Sequence, residues 1–254
     1  MKIRILGSGT STGVPRIGND WGQCDPAEPR NRRTRASMLV STKTTRILVD
    51  TSPDMREQLL SAGVNDVDAV IWTHDHADHC HGIDDLRQLY HARGHPVRGL
   101  ARPQTLEALQ RRFGYAFHGT GVYPPSIAGE ALPDHIDIGD ISVSVADQPH
   151  GAITSAGLRF ASGDKVIGYA TDFHDMTNPM RRLFRGLDIW VVDALREKPH
   201  PTHPHLAQVL QWIEELRPRQ AALVHMDQTM DYKPLAASLP GGIVPGYDGL
   251  ELGK

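Results

Sequence analysis

Between Trp72 and Gly82 the run WTHDHADHCHG packs four histidines and two aspartates into eleven residues. Side chains of these types at this density serve as a solvated polar loop, a proton relay or a metal cage. The spacing bears on the choice. His74 and His76 are separated by one residue, so in extended backbone both rings point the same way. If the chain then turns into a helix, Asp78 and His79 face a neighbouring location, giving two ligand pairs for two metal centres. This is not the helical H-E-x-x-H pattern, in which both histidines share one helix face. Nitrogen and oxygen donors together suit zinc, manganese or iron, whereas calcium would demand more oxygens.

The same residue types recur farther along the chain, each at the end of a Val- and Ile-rich run. Asp50 ends ILVD, His74 ends DAVIWTH, and His150 follows ISVSVADQ by two residues. Asp172 ends KVIGYATD, and His225 lies at the end of AALVHM. Loops at the C-terminal ends of strands are where α/β folds collect their ligands. Five segments can therefore deliver a His or Asp to a single rim, an echo that a solvated loop does not predict. Asp193, ending WVVD, stands at another strand terminus and could buttress that rim.

The elements that must do the positioning follow from pattern and punctuation. Strands are expected over 2–6, 37–41, 45–51, 68–74, 141–148, 157–162, 165–172, 188–194 and 221–226. Helices are expected over 53–62, 82–92, 103–113, 177–186, 205–217 and 233–238, the first opened by Pro53 and closed by Gly63. Residues 113–129 combine aromatic, Gly and Pro character without periodicity. They read as a lid with His118 or Tyr123 touching substrate, or as a plain surface loop. The order of elements suggests two mixed sheets with helices outside, an αββα sandwich in a single domain over 1–254; a single doubly wound sheet is the alternative.

With 27 basic and 30 acidic side chains, the formal charge is −3. That balance lacks the basic footprint of a nucleic-acid binder, so nucleic acid is not an expected partner. Cys24 and Cys80 are too few for a disulfide framework and agree with a reducing compartment. The opening MKIRILGSG has no secretory h-region, and no apolar run approaches the ~18–20 residues that span a bilayer. The expectation is a cytoplasmic protein with no membrane partner.

THDHADH resembles the T-H-x-H-x-D-H signature of the metallo-β-lactamase superfamily, whose fold is the αββα sandwich. The resemblance implies one metal on His74, His76 and His150 and a second on Asp78, His79 and His225. It also implies Asp172 as a bridge and Asp50 as the carboxylate that steadies the histidine loop. A metal pair makes hydroxide available at neutral pH: lowering the pKa of water from ~16 to ~7 corresponds to roughly 12 kcal/mol. The implied reaction is hydrolysis, with two divalent cations (zinc or manganese, or iron) as cofactors. Asp78 joins the catalytic set.

The bond cleaved is argued from two further segments. PHPTHPHLAQVLQWIEEL is similar to the additional histidine segment of the superfamily's phosphodiesterases, including the tRNA 3′-processing nucleases. That similarity implies His203 as the group that contacts the scissile phosphate and assists the leaving oxygen, with His205 beside it as a candidate substrate contact. The opening LGSGTSTGVP and the closing YDGLEL resemble the branch that hydrolyses phosphoribosyl 1,2-cyclic phosphate in the carbon–phosphorus lyase pathway. That branch holds a structural zinc on several cysteines and a late histidine. Here only Cys24 remains and Gln228 stands at the histidine's place, so no structural zinc is expected. RNRRTRAS carries four arginines, of which Arg33 and Arg35 are candidate phosphate contacts. A solvated loop, or a contact with a second subunit in a homodimer, is the alternative.

The leading expectation is a dinuclear phosphodiesterase for a small cyclic phosphate or nucleotide-like ester. The alternatives are a tRNA 3′-processing endonuclease, a thioesterase or lactamase of the same fold, and a non-enzymatic metal- or RNA-binding scaffold.

Overall fold

The computed structural model of the protein describes residues 1–253. Its first half contains β1 (Lys2–Gly7), β2 (Ser37–Ser41), β3 (Arg46–Val49), α1 (Met55–Ala62), β4 (Ala69–Trp72), α2 (Ala77–Cys80), α3 (Leu86–Arg93), β5 (Val97–Ala101), α4 (Pro103–Arg112), α5 (Gly114–His118) and β6 (Ile127–Ala131). There follow β7 (His135–Ile138), β8 (Ile141–His150), β9 (Ile153–Ser162), β10 (Lys165–Ala170), α6 (Asn178–Leu183), β11 (Ile189–Asp193), α7 (Leu206–Leu216), β12 (Gln220–Val224), α8 (Tyr232–Ser238), β13 (Ile243–Pro245) and β14 (Glu251–Leu252).

Among the described residues these strands make two seven-stranded sheets, ordered β14-β1-β2-β3-β4-β5-β6 and β13-β12-β11-β10-β9-β8-β7. Each sheet is mixed: β3 through β6 run parallel, as do β10 through β13, while the remaining pairings are antiparallel. The apolar residues sort by strand parity, as the pleat requires. Ile47, Val49, Ala69, Ile71 and Val191 face the space between the sheets, where they meet Leu158, Phe160 and Tyr169. Leu48, Val70 and Trp72 point outward to α1, α3 and α4, while Trp190, Val192 and Leu223 point outward to α6 and α7. Strands covered on both faces read as continuous apolar runs rather than alternations. On α7 the buried residues Val209, Trp212, Ile213 and Leu216 recur at the spacing of one helix face. Gly63 ends α1 in the left-handed region at φ 63°.

The architecture is the expected αββα sandwich. Five strands lay where none was expected: β5, β6, β7 and the short edge strands β13 and β14. Residues 113–129 contain α5, an irregular connection and the first three residues of β6, a strand with four of its five residues exposed on a sheet edge. β8 and β9 are a long hairpin whose second strand begins four residues before its expected start. The expected helix 82–92 opens with a 3₁₀ turn over Ile83–Asp85 before α3 begins. Among the described residues no helix is long and apolar enough to cross a membrane.

Candidate metal centre

Parallel pairing brings the chemistry-bearing residues together. β3 and β4 pair Val49 with Ile71, so Asp50 and the loop that begins at Thr73 leave the sheet side by side. In the other sheet Ala170 pairs with Val192 and Val192 with Leu223, which sets Asp172, Asp193 and His225 in a row. His150 arrives at the end of β8. Asp50, Asp172 and His225 occupy the left-handed region, with φ of 62°, 56° and 58°. That conformation costs a non-glycine residue roughly 1 kcal/mol or more, and here it falls at three strand ends that face one another.

The donor atoms of His74, His76, His150 and Asp172 all lie within 4.8 Å of one another, as do those of Asp78, His79 and His225. Asp172 stands between the groups. Its Oδ1 is 3.8 Å from His74 Nε2, 3.7 Å from His150 Nε2 and 3.6 Å from His225 Nε2. Its Oδ2 is 3.1 Å from His79 Nε2. Asp78 Oδ2 completes the second group at 3.3 Å from His79 Nε2 and 3.5 Å from His225 Nε2.

Nε2 of His74, His79 and His225 are buried without a hydrogen-bond partner, an expensive state for a polar atom unless something else is bound there. At His74, His79 and His150 the opposite ring nitrogen is anchored, while His225 Nδ1 also has no hydrogen-bond partner. His79 Nδ1 donates to Asp50 Oδ2 at 2.8 Å, His150 Nδ1 donates to the Thr202 carbonyl at 3.1 Å, and His74 Nδ1 lies 3.0 Å from Thr73 Oγ1. Asp50 in turn accepts from the Thr73 amide and hydroxyl at 2.7 and 2.8 Å. Such anchoring fixes the tautomer and aims the Nε2 lone pairs at the centre. His76 Nδ1 and His150 Nε2 are 3.3 Å apart, the separation expected of neighbours around one cation with bonds of ~2.1 Å. The residues fit two divalent cations bound by nitrogen and oxygen.

Electrostatics divides the two groups. Burial pushes His74 and His150 down, so both rings are neutral and ready to ligate. Burial alone would lower His225 too, but the carboxylates of Asp172 and Asp193 outweigh it and raise its pKa to about 9. His79 is held well above the ordinary histidine value, burial being overcome by Asp172, Asp78 and Asp50.

A cleft of about 320 Å³ opens onto this cluster, with Ser11, Asp78, Ile153, Thr202 and His203 among its walls. His203 sits on the β11–α7 loop, which is pinned by Leu195 N–H donating to the Pro204 carbonyl. Its Nδ1 donates to Asp193 Oδ2 at 2.9 Å, its Nε2 lies 3.8 Å from Asp172 Oδ1, and its ring stacks on His225 at 4.8 Å. Asp193, wholly buried, also accepts from the Asp172 amide at 3.1 Å.

Other expected contacts are not in the cleft. Arg33 is buried, and its guanidinium donates to Asn31 Oδ1, to the carbonyls of Asp227 and Met230 and weakly to Cys24 Sγ. Its charge is satisfied inside the protein, so it is a cross-link between loops rather than a phosphate contact. Arg35 pairs with Asp54 at 2.9 Å, Arg30 binds Glu28 and lies 3.9 Å over Tyr232, and Arg32 lies 5.3 Å over Trp21. The four arginines are thus occupied within the chain. His205 caps α7 and His118 is exposed at the end of α5; neither lines the cleft. Reasoning from the sequence missed Ser11 and Thr202 as wall residues; the glycine-rich run around Ser11 was the available sign.

A family model described as β-lactamase superfamily domain matches residues 45–226. A solved diphosphatase from the PhnP family is 35% identical and superposes with a TM-score of 0.90, covering 99% of this chain and 96% of that one. Zn²⁺-bound PqqB from Methylobacterium extorquens (19% identical, TM-score 0.79, 100% of both chains) shares the fold. So does the short form of human tRNase Z (14%, TM-score 0.73, 100% of this chain and 99% of that one). An octanoyltransferase of Porphyromonas gingivalis (strain ATCC BAA-308 / W83) is 33% identical over 261 residues. The match covers 99% of this chain and 51% of the relative, so the chain spans about half that protein's length. With its sandwich, its rim of strand-end histidines and aspartates and these matches, the chain belongs to the β-lactamase superfamily.

Proposed function

We propose that the protein is a dinuclear metal-dependent phosphodiesterase acting on a small cyclic phosphate or nucleotide-like diester. The observation that carries the reading is His203, which stands in the cleft beside the Asp172-centred cluster with Nδ1 fixed by Asp193 and Nε2 turned inward. A thiolate leaves a thioester without a proton, so that reaction has no comparable use for an acid at this place. The 35% identity to a diphosphatase supports phosphoryl chemistry.

His74, His76 and His150 would hold one cation and Asp78, His79 and His225 the other, with Asp172 between them and Asp50 orienting His79. Two such cations, when bound, supply Lewis acidity that activates water and neutralises charge on phosphoryl oxygens. The protein's own groups do the rest. Asp78 lies at the cleft, and despite its burial the neighbouring imidazoles of His79 and His225 hold its carboxyl well below the usual range. It therefore stays charged, which suits it to hold a cation and to accept a hydrogen bond that orients the attacking water, rather than to take a proton. His203 delivers a proton from Nε2 to the departing oxygen, and Asp193 stabilises the imidazolium from which that proton comes.

The octanoyltransferase name belongs to a chain twice as long. Covalent acyl transfer needs an activated nucleophile. Cys24 and Cys80 are buried, and burial raises the Cys80 thiol to about 12. The test is a substrate panel on the zinc- or manganese-loaded protein: nucleoside 2′,3′-cyclic phosphates, bis-(p-nitrophenyl) phosphate, a β-lactam and a thioester. Turnover of the diesters alone is expected. Lactam or thioester turnover without diester turnover would overturn the proposal.

A further inference from the structure

The run GSGTSTG, Gly7–Gly13, has no part in the mechanism above, yet it is built to tight tolerances beside the metal centre. A Cβ on Gly7 would sit 2.0 Å from the Arg35 carbonyl, and one on Gly9 would sit 2.9 Å from Arg33 Cβ, so both residues allow backbone to lie on side-chain-bearing neighbours. Ser8 donates its amide and hydroxyl to Asp248 Oδ1 at 2.9 and 2.8 Å, while Thr34 donates its own pair to Oδ2 at 2.7 and 2.6 Å. One carboxylate thus fastens the run to the segment that leads into β2. On the other side Met226 N–H donates to the Ser8 carbonyl, and Thr10 N–H donates to the Met226 carbonyl, one residue beyond His225. Gly13 N–H closes a turn onto the Thr10 carbonyl at 2.8 Å.

The turn's tip is different. Ser11 is exposed and lines the cleft. Among the described residues its hydroxyl and its amide have no partner. A rigid arm ending in an unused donor and acceptor is the arrangement a binding site needs: support for the contact residue, and nothing competing for its polar atoms. Ala152 and Ile153, from the β8–β9 turn, give the same cleft an apolar wall. At about 320 Å³ the space is at the small end for ligand sites, so a substrate filling it passes within reach of both walls.

We propose that Ser11 is a specificity-determining residue, hydrogen-bonding a hydroxyl group on the alcohol portion of the diester that is not displaced. The inference rests on the phosphodiesterase reading and adds to it the demand for a hydroxylated ester. Loss of one hydrogen bond at an exposed site is worth about fivefold in affinity. Two substrates isolate it: p-nitrophenyl 2,3-dihydroxypropyl phosphate and p-nitrophenyl propyl phosphate, which share a leaving group and differ in two hydroxyls. The metal-loaded wild type is expected to favour the hydroxylated ester about fivefold in kcat/KM, through KM, and Ser11→Ala to abolish that preference. Calorimetric titration of glycerol phosphate and propyl phosphate into the same proteins should show the same ratio without turnover. A merely structural Ser11 would weaken both esters equally. That result, or a wild type with no preference, or a preference that survives Ser11→Ala, overturns the inference. Hydrolysis of neither ester by the wild type removes the phosphodiesterase reading as well, so the two failures are distinguishable.

Discussion

Replacing Asp193 by Asn keeps the side chain's shape and removes its charge. In the wild type the buried carboxylate accepts from His203 Nδ1 at 2.9 Å and from the Asp172 amide at 3.1 Å. An amide can still serve the Asp172 N–H through its oxygen. Both bonds end on Oδ2, so the same oxygen can also accept from His203 Nδ1; what the ring loses is the negative charge that stabilises its imidazolium. A hydrogen bond between charged partners in such a place contributes about 1.5–3 kcal/mol. If that stabilisation is what makes the imidazolium available, departure of an alkoxide should slow by about tenfold to a hundredfold. Departure of p-nitrophenolate, which leaves without a proton, should slow by no more than about threefold. The assay is kcat for a nucleoside 2′,3′-cyclic phosphate against kcat for bis-(p-nitrophenyl) phosphate, on protein whose metal content is checked by elemental analysis. Equal losses on the two substrates, or no loss on the cyclic one, would refute a proton-delivering role for His203.

Three other perturbations address the surrounding structure. Asp50→Ala removes the acceptor for His79 Nδ1 and frees the ring to rotate; affinity for the second cation should fall about tenfold to a hundredfold, so that dialysed protein keeps close to one metal. Full retention of two would show that Asp50 does not orient the ligand. Arg33→Met takes one donor from the Asp227 carbonyl and leaves the Met230 carbonyl unpaired, and should cost on the order of 2 kcal/mol in urea unfolding, without raising KM for diesters. Undiminished stability with a raised KM would restore Arg33 as a phosphate contact. The third perturbation is pH. In metal-free protein the raised pKa of His225 contributes stability that is complete below the ordinary value of ~6.5 and is lost as pH rises through about 9. A cation must displace that proton and the one that His79 also holds, so affinity at the Asp78–His79–His225 group should climb about tenfold per pH unit for each proton released. His74 and His150 are already neutral, and their group should depend less on pH. On acidification one metal should therefore leave before the other; simultaneous loss would contradict the division.

Much of the candidate site could be read in the sequence because His and Asp are conspicuous at the ends of apolar runs, and parallel strands bring such ends together. Asp50, His150, Asp172 and His225 were all legible in this way, and the structure brings all four to one rim. The αββα order was legible for the same reason, in strands buried on both faces. What escaped was edge structure: β6 has a single buried residue, and β5 interrupts its apolar run with Arg98 and Gly99. Chance crowding in the sequence also misled. Arg33 and Arg35 lie two residues apart, which suggests an anion clamp, but Arg33 is claimed by carbonyls 194 and 197 positions away, Arg35 by Asp54. Ser11 gave no sign of its own, since a serine in a glycine-rich turn is ordinary until the cleft beside it is known.

The three left-handed residues at the strand ends carry an evolutionary consequence. At Asp50, Asp172 and His225 a Gly or Asn would relieve the backbone by roughly 1 kcal/mol, which offsets part of the hydrogen bonds and ion pairs lost with the side chain, while weakening or emptying the rim of donors. Any other replacement there keeps the strain and loses the contacts as well. Among the replacements kept by a library of this gene sorted only for thermal tolerance, Gly and Asn should therefore dominate at the three positions. Their persistence as Asp and His in a lineage would record that the centre was in use.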